Sequence, residues 1–363
     1  MTVKVVTIVG ARPQFIKAAA LSRAIRDDFA RRIEEVLVHT GQHFDANMSA
    51  VFFEELGIPH PRHNLEISGG THGAMTGRML EAVEAVLMQE KPDWVLIYGD
   101  TNSTLAGALA AAKLHIPVAH VEAGLRSHNM RMPEEVNRIV SDRISTLLLC
   151  PTQTAVTNLA SEGIFKGVHN VGDVMYDVAL YYRDKAREQS KVLESLGLAA
   201  NDFALATCHR AENTDDPQRL KNILEALSTV AAELPVVLPL HPRTRKLVIE
   251  NGLGHLLQPL KITEPLPFLD MVALEQSARL ILTDSGGVQK EAFFYGVPCI
   301  TMRDETEWVE TVELGMNELV GANTYNIVEA TNGVLSRMGK PSSVCPYGDG
   351  RAAVHIAALL QSQ

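Results

Sequence analysis

Short apolar runs rich in valine, isoleucine and leucine alternate with longer segments of helical periodicity along the chain. This alternation is typical of parallel sheets built from β-α-β units, because their strands are buried on both faces. The pattern predicts an α/β protein with two successive series of strands. The first series is 3–10, 34–40, 93–99, 117–122 and 146–151, and the second is 202–208, 235–242, 260–265, 279–285 and 298–303.

Length and composition are those of a globular protein with more than one core. The chain has 363 residues, which suits two packed α/β units, and a polar helical stretch at 183–202 leads from the first strand series to the second. Its formal net charge of -10 provides no general basic field for nucleic acid or an anionic membrane. The first residues enter an apolar strand directly, without the features of a signal peptide, so a cytoplasmic location is expected.

Polar residues follow the carboxyl ends of the predicted strands. In open parallel sheets this edge is where ligands bind, because strand ends and helix N-termini converge there. Loops are polar in any case, so one such residue means little, but eight strand ends with the same property indicate a site. Two such edges facing each other would form a cleft. The residues are Arg12, the run 40–43, Asp100, Glu122, His209, His241, Ser285 and Arg303.

Two strand-to-helix turns suit a diphosphate. At 285–287 the sequence Ser-Gly-Gly opens a helix, where bare backbone amides and the helix dipole can approach a phosphate, although many tight turns use the same residues. Glu291, one turn further, either accepts hydrogen bonds from ribose hydroxyls or is a solvated helix residue. After the first strand, Arg12 and Lys17 place two cations beside a helix start, and a surface salt bridge is the alternative for Lys17.

Carboxylates and histidines complete the set of reactive groups. Asp100 and Glu122 end neighbouring strands, and 134–135 is a Glu-Glu pair in a first helical turn, where capping is the alternative role. His209 and His241 both follow strands of the second series. No compact set of metal ligands and no C-x-x-C motif stands out in the sequence, so no metal site is predicted.

Nine motifs, in this order, resemble the non-hydrolysing UDP-N-acetylglucosamine 2-epimerases over nearly the whole chain. They are GARPQFIK, TGQHFD, GDTNSTLAGALAA, HVEAGLR, MPEEVNR, HRAEN, HPRT, LTDSGGVQKEA and MRDETEW.

This resemblance implies a glycosyltransferase-B-like fold with two Rossmann-like domains facing a cleft. The expected domains are 1–170 and 171–347, with a C-terminal helix at 348–363 returning to the first domain, and the expected assembly is a homodimer. By motif, the family's catalytic groups fall on Asp100, Glu122, Glu134 and His209. The UDP and substrate contacts fall on Arg12, Lys17, His241, Phe268, Ser285, Gly286, Gly287, Glu291, Arg303 and Thr306.

The reaction implied by the resemblance needs no cofactor, and the sequence contains no nicotinamide-binding fingerprint. A sugar C2–H is not adjacent to a carbonyl, so direct deprotonation is very unfavourable. Departure of UDP from C1 acidifies C2–H, and a carboxylate then removes the proton to leave a 2-acetamidoglucal. Reprotonation from the opposite face and return of UDP give the manno epimer, which requires two or more acid/base groups.

Two departures from the common family pattern concern the substrate. Residues 306–310 read TEWVE where many relatives have T-E-R-P-E, and the first motif reads GARPQFIK instead of G-T-R-P-E-x-I-K. Both variants resemble a subgroup that acts on UDP-2,3-diacetamido-2,3-dideoxyglucuronate, so this sugar is an alternative to UDP-N-acetylglucosamine. The stretch 68–79 also departs from relatives that are activated by a second UDP-N-acetylglucosamine. A UDP-sugar glycosyltransferase on the same fold is the alternative from another class.

Overall fold

The computed structural model describes residues 2–42, 58–336 and 345–362. Chain contacts divide the molecule into two compact units, Met1–Val178 with Cys345–Gln363, and Ala179–Val344. His43, named above with the polar run after the second strand, lies outside the described residues. Within the described ranges, none of the helices is both long enough and apolar enough to cross a membrane.

Thirteen strands are found among the described residues. All ten predicted strands are confirmed, each ending within three residues of its predicted bounds. The strands of the first unit are β1 (Val3–Val9), β2 (Ile33–His39), β3 (His63–Asn64), β4 (Trp94–Tyr98), β5 (Val118–Val121), β6 (Leu147–Cys150) and β7 (Val168–Asn170). Those of the second are β8 (Ala204–Thr207), β9 (Val236–Pro239), β10 (Lys261–Thr263), β11 (Leu280–Thr283), β12 (Cys299–Thr301) and β13 (Asn317–Leu319).

Helices connect these strands. In the first unit they are α1 (Arg12–Ala24), continued by a π-helical turn at Ile25–Phe29, α2 (His72–Glu90), α3 (Asn102–Lys113), α4 (Pro133–Ile144), α5 (Gln153–Ser161), α6 (Val174–Gln189), which runs into the second unit, and α15 (Ala352–Ser362). In the second unit they are α7 (Val192–Leu196), α8 (Ala211–Thr214), α9 (Pro217–Val230), α10 (Pro242–Glu250), α11 (Phe268–Ser277), α12 (Gly286–Tyr295), α13 (Val309–Glu313) and α14 (Thr324–Ser336), with a 3-10 turn at Gly254–Leu257.

Both sheets are parallel and have the Rossmann strand order. The first runs β3-β2-β1-β4-β5-β6-β7 and the second β10-β9-β8-β11-β12-β13. Their central strands are almost wholly buried, which explains why valine, leucine and isoleucine fill them without polar alternation. In each sheet the order reverses beside the first strand, between β1 and β4 and between β8 and β11. The α/β class with two parallel Rossmann-like sheets is thus confirmed.

The chain leaves the first unit along α6 and returns to it before α15, and these two segments are hydrogen-bonded to each other within the first unit. Helix α15 packs against α1, and the Asp177 carboxylate, on α6, accepts hydrogen bonds from the amides of Ala352 and Ala353 at 3.0 and 2.8 Å. These amides open α15, so Asp177 caps its N-terminus from a segment far away in sequence. Burial raises the pKa of Asp177 to about 6, although the two amides partly oppose the shift.

We expect Asp177→Asn to remove one component of the pH dependence of stability. Because the folded state binds this proton more tightly than the unfolded chain, the contribution of Asp177 is complete below about pH 4 and is lost as the pH rises to about 6. Allowing for partial exposure, the loss should be about 1–2 kcal/mol, and the asparagine variant should not show it. Denaturant unfolding at several pH values measures this.

The matched control for Asp177→Asn is Asp349→Asn. Asp349 lies just before the same helix, but its side chain is 58% exposed. Its replacement should leave the slope of unfolding free energy against pH close to that of the unmutated chain. Identical slopes for Asp177→Asn and the unmutated chain would contradict the assignment.

Candidate active site

The candidate residues lie at the carboxyl ends of strands next to the points where the strand order reverses. In the first unit, Arg12 follows β1, Asp100 follows β4 and Glu122 follows β5. In the second unit, His209 follows β8 and Ser285 follows β11. The structure therefore places these residues at the position where open α/β sheets bind ligands.

Glu122 is a buried carboxylate with a cationic partner. Its side chain is 4% exposed, and its Oε2 forms an ion pair with the ammonium group of Lys17, on α1. The backbone φ of Glu122 is +68°, a conformation that is unusual for a residue with a Cβ atom and that concentrates at functional sites. Lys17 therefore does not form a surface salt bridge; its partner is a reactive-group candidate at the end of β5.

Asp100 is paired with a guanidinium. Its Oδ2 accepts from Nε and Nη2 of Arg138, on α4, at 2.9 and 2.5 Å, and its side chain is 29% exposed. Asn137, the neighbouring residue on α4, donates to the Asp100 carbonyl at 2.8 Å. Arg138 also binds Glu135 at 2.8 Å, so Arg138 links two carboxylates. Asp100 is thus held in place while part of its surface stays open.

The two glutamates at the start of α4 have different surroundings. Glu135 is 1% exposed and accepts hydrogen bonds from the amides of Ser127 and His128, which fixes the preceding loop. Burial alone would raise the pKa of Glu135, but these amides and Arg138 outweigh it and lower the pKa. Glu134 is half-buried and forms no hydrogen bond or ion pair with the other described residues. Of the two, Glu134 is the side chain that is available for chemistry.

Gln14 was not singled out from the sequence, although it lies in the first motif. Its Oε1 accepts from the amides of Gly10 and Ala11 at 2.8 and 3.1 Å, and its Nε2 donates to the Tyr98 carbonyl at 2.7 Å. The side chain is buried and joins the turn after β1 to the end of β4. One signal in the sequence could have identified Gln14, because the common motif has glutamate at this position. Unlike a carboxylate, an amide side chain can both donate and accept hydrogen bonds.

His209 is positioned through its backbone by a second residue missed from the sequence, Asp284. This carboxylate is fully buried and accepts from the amides of His209 and Arg210 at about 3.0 Å and from Nδ2 of Asn213 at 3.3 Å. The His209 ring remains 45% exposed, with Nδ1 at 3.6 Å from Asp284. Burial lowers the pKa of His209, and Arg210 and His241 lower it further against Asp284. At neutral pH the imidazole is therefore an uncharged acid/base group.

His241 caps the start of α10. Its Nδ1 accepts from the amide of Arg243 at 3.2 Å, so the ring proton of the neutral form lies on Nε2, which is the nitrogen left to donate. Arg243 itself donates to the Thr214 hydroxyl at 3.0 Å and pairs with Asp215. His241 is exposed, as a group that contacts a ligand should be.

The Ser-Gly-Gly turn opens α12 as predicted, and a carboxylate lies against it. Ser285 is the N-cap residue and makes no side-chain capping bond. Oε1 of Glu307 lies 2.6 Å from the position that a Cβ atom on Gly286 would occupy, so only glycine fits there without moving Glu307. The same glutamate pairs with Nη1 of Arg303 at 3.2 Å, and Arg303 is buried. A negative group thus already lies at the positive end of this helix.

The remaining candidates are distributed around α11 and α12. Thr306 donates to Oε1 of buried Gln289 at 2.7 Å, which fixes the loop after β12. Glu291 is half-buried one turn into α12, close to Gly287. Phe268 opens α11 and packs edge-on against Tyr182, with ring centroids 5.0 Å apart. Phe268 is buried, which leaves little of its ring for a ligand.

Each unit therefore carries a different set of functional groups. The first carries two carboxylates paired with Lys17 and Arg138, a set suited to proton transfer. The second carries a neutral histidine and a glycine-rich helix N-terminus, a set suited to an anionic leaving group. These features define the class: an α/β enzyme with two Rossmann-like sheets that handles a phosphorylated substrate.

Comparisons with known proteins agree with this class. The sequence profile of the UDP-N-acetylglucosamine 2-epimerases matches residues 26–361. The chain is 55% identical over 362 residues to the UDP-2,3-diacetamido-2,3-dideoxy-D-glucuronate 2-epimerase of Pseudomonas aeruginosa, covering 98% of this chain and 99% of the relative. It also matches the crystal structure of the Methanocaldococcus jannaschii UDP-GlcNAc 2-epimerase in complex with UDP-GlcNAc and UDP, with a TM-score of 0.90, 43% identity and complete coverage of both chains.

The chain belongs to the UDP-N-acetylglucosamine 2-epimerase family. It is accordingly an isomerase that acts on a UDP-sugar, as the motifs predicted.

Proposed function

We propose that this enzyme inverts C2 of a UDP-2-acetamido sugar without hydrolysis, by eliminating UDP and adding it back. The observation that carries the proposal is the placement of Asp100 and Glu122. They follow adjacent parallel strands, β4 and β5, and each is held by a cation on a neighbouring helix. Opposite-face proton transfer at one carbon requires at least two fixed acid/base groups, and this edge provides them.

In the forward direction the C1–O bond breaks and UDP leaves with the bonding electrons. One carboxylate of the set Asp100, Glu122 and Glu134 takes the C2 proton, and the electrons of the C2–H bond form the C1–C2 double bond of a 2-acetamidoglucal. A second carboxyl group of the set, which enters this step protonated, returns its proton to the other face of C2 as UDP bonds again to C1, and the neutral His209 is a base that can accept and pass on a proton between the two steps. No net oxidation or hydrolysis occurs, so neither cofactor nor water is consumed.

UDP binding is assigned mainly to the second unit. Backbone amides at the start of α12 and the Nε2–H of His241 are donors of the kind that stabilise charge developing on a leaving diphosphate. Binding there requires Glu307 to move from its place against Gly286, which frees Arg303 for the phosphate. Glu291 is assigned to the ribose hydroxyls. The other assigned contacts are Arg12, Lys17, Ser285, Gly287 and Thr306, whereas the burial of Phe268 argues against the substrate contact that the resemblance implied for it.

Of the two sugars, the diacetamido uronate is the substrate that we favour. Identity to the Pseudomonas aeruginosa enzyme is 55%, against 44% for the UDP-N-acetylglucosamine 2-epimerase of Methanocaldococcus jannaschii at the same coverage of this chain. Residues 306–310, which read TEWVE, also depart from the T-E-R-P-E pattern of many family members. UDP-N-acetylglucosamine remains the second candidate. We further propose, from the family resemblance, that the enzyme acts as a cytoplasmic homodimer.

Proton NMR in D2O tests both reaction and substrate. The purified enzyme is incubated separately with UDP-N-acetylglucosamine and with UDP-2,3-diacetamido-2,3-dideoxyglucuronate. We expect deuterium to replace the C2 proton, fastest with the diacetamido uronate, while free UDP does not accumulate. Equal release of free sugar and UDP would indicate a hydrolysing enzyme, transfer to an acceptor without C2 exchange would indicate a glycosyltransferase, and absence of exchange with both nucleotides would refute the epimerase assignment.

A further inference from the structure

The first unit contains a group of charges, most of them buried, that the reaction does not use directly. His120, in β5, has a side chain that is 0% exposed. Its Nδ1 lies 2.7 Å from Oδ1 of Asp142, and its Nε2 lies 2.7 Å from the Gly99 carbonyl oxygen. Both ring nitrogens thus have partners, one from α4 and one from the turn after β4.

The partner of Nε2 shows that this ring nitrogen carries a proton. A carbonyl oxygen can only accept, so Nε2 must donate to Gly99. The proton on Nδ1 depends on whether Asp142 is ionised.

Asp142 has the surroundings of an ionised carboxylate. Its Oδ2 accepts from Nη1 of Arg126 at 2.7 Å and from the amide of Gly124 at 3.1 Å. Burial alone would raise the pKa of Asp142, but the surrounding hydrogen bonds and charges outweigh burial and lower the pKa. Two of these donors, Arg126 and the amide of Gly124, do not depend on His120 and favour the ionised carboxylate by themselves. Oδ1 is then an acceptor as well, so Nδ1 also carries a proton and the ring is an imidazolium.

The charges of this group balance. Arg126 pairs with Asp142 and also with Glu162, through Nε and Nη2 at 2.6 and 2.8 Å. Two cations and two carboxylates therefore share the group: His120, Arg126 and Asp142 are buried, and Glu162 is 33% exposed, so the charges are paired even though one carboxylate reaches the surface. Two other ion pairs lie at this edge of the sheet, Glu122 with Lys17 and Asp100 with Arg138.

His120 is hydrogen-bonded to the turn that carries Asp100, and this turn contacts the neighbouring one that carries Glu122. Gly99 has φ +60°, directly precedes Asp100, and donates its amide to the Val121 carbonyl at 3.0 Å. Val121 directly precedes Glu122, whose Oε2 lies 3.3 Å from the place of a Cβ on Gly99. The positive φ of Glu122 is disfavoured for a residue with a Cβ atom, and Gly99 has no side chain that could fix its own turn, so both turns need contacts from elsewhere to hold their shape. A charged donor on the Gly99 carbonyl supplies the missing constraint.

We propose that His120 is a positioning residue that donates from both ring nitrogens, and that its bond to Gly99 sets the separation of the Asp100 and Glu122 carboxylates. The proposal rests on the epimerase function proposed above. Its effect is on the placement of the two acid/base groups and not on substrate binding.

Two amide variants separate the two hydrogen bonds of His120. Asparagine places its amide nitrogen near the Nδ1 position and retains the bond to Asp142, whereas glutamine places its nitrogen near Nε2 and retains the bond to Gly99. If positioning is the role, His120→Gln should keep kcat for C2 exchange within about tenfold of the unmutated enzyme, while His120→Asn should lose about a hundredfold, since small misplacements of reacting groups have effects of that size. KM should change little in either variant.

A purely structural role predicts another order, because the bond to buried Asp142 is then the more important one. Equal activity in the two variants, or higher activity in His120→Asn, overturns the proposal. Nitrogen-15 NMR of the unmutated, substrate-free protein at about pH 7.5 adds a readout that does not depend on turnover or on folding of the variants: we expect both His120 ring nitrogens to carry protons. A ring nitrogen without a proton overturns the imidazolium assignment, whereas absence of C2 exchange in the unmutated enzyme refutes only the proposed function.

Discussion

Replacing Glu122 by glutamine should reduce C2 deuterium exchange by at least about a thousandfold while leaving UDP binding within about tenfold, because general acid/base groups contribute factors of this order to the chemical step. Glutamine keeps the size of the side chain and can still accept a hydrogen bond from Lys17, but it cannot take up or return the C2 proton. Exchange is measured by NMR in D2O and UDP affinity by titration calorimetry.

Glu90→Gln is the matched control for Glu122→Gln. Glu90 is also a buried carboxylate with a lysine partner, Lys4 at 2.6 Å, and it lies at the opposite edge of the same sheet, where β1 begins. Glu90 also lies 2.7 Å from Nε2 of His63, so its replacement should cost at least as much stability as that of Glu122. Only Glu122→Gln should lose exchange. Parallel losses of exchange would mean that Glu122 acts through stability, and unchanged exchange would remove it from the mechanism.

The fold was largely predictable because its strands are buried on both faces. Runs such as β4 and β11 consist of residues with almost no exposed surface, and this leaves a clear apolar signal in the sequence. The three strands that were missed are β3, β7 and β13, which have only two or three residues each and are partly polar. All three are edge strands, where one neighbour is absent and the apolar requirement is weaker.

The sequence predicts where the carboxylates of the site lie, but it does not predict which cations pair with them. Strand ends identify Asp100 and Glu122, because parallel topology alone brings them to one edge. Their partners come from helices: Lys17 is 105 positions from Glu122, and Arg138 is 38 positions from Asp100. Such pairs depend on helix rotation and side-chain conformation, which apolar periodicity does not specify.

Residues that act through the backbone were the hardest to predict. Asp284 lies inside the LTDSGG motif, where attention falls on the serine and glycines, yet its buried carboxylate holds the loop that begins at His209. His120 likewise opens the HVEAGLR motif, two positions before the more evident Glu122. A polar residue within an otherwise apolar strand or at its last position is the available signal, because burying such a group requires several partners.

Replacing Asp284 by alanine should destabilise the second unit by about 3–5 kcal/mol, because it leaves the amides of His209 and Arg210 and the Asn213 side chain without their acceptor. The loop after β8 should open, and C2 exchange should be lost with it. Hydrogen-exchange mass spectrometry of peptides around His209 measures the opening locally, which avoids assuming that both units unfold together.

Two further variants make this test of Asp284 decisive. Asp284→Asn keeps one acceptor oxygen and should fold, with a loss of about 1–3 kcal/mol, faster amide exchange at His209 and reduced catalysis. Glu264→Ala removes a 74% exposed carboxylate that pairs with Arg245 in the same unit, and surface pairs of this kind are worth about 0–1 kcal/mol. If Asp284→Asn retained full protection of the His209 amide and full C2 exchange, Asp284 would be a stabilising core group without influence on the histidine, and the position of His209 would have to be set by its own ring contacts.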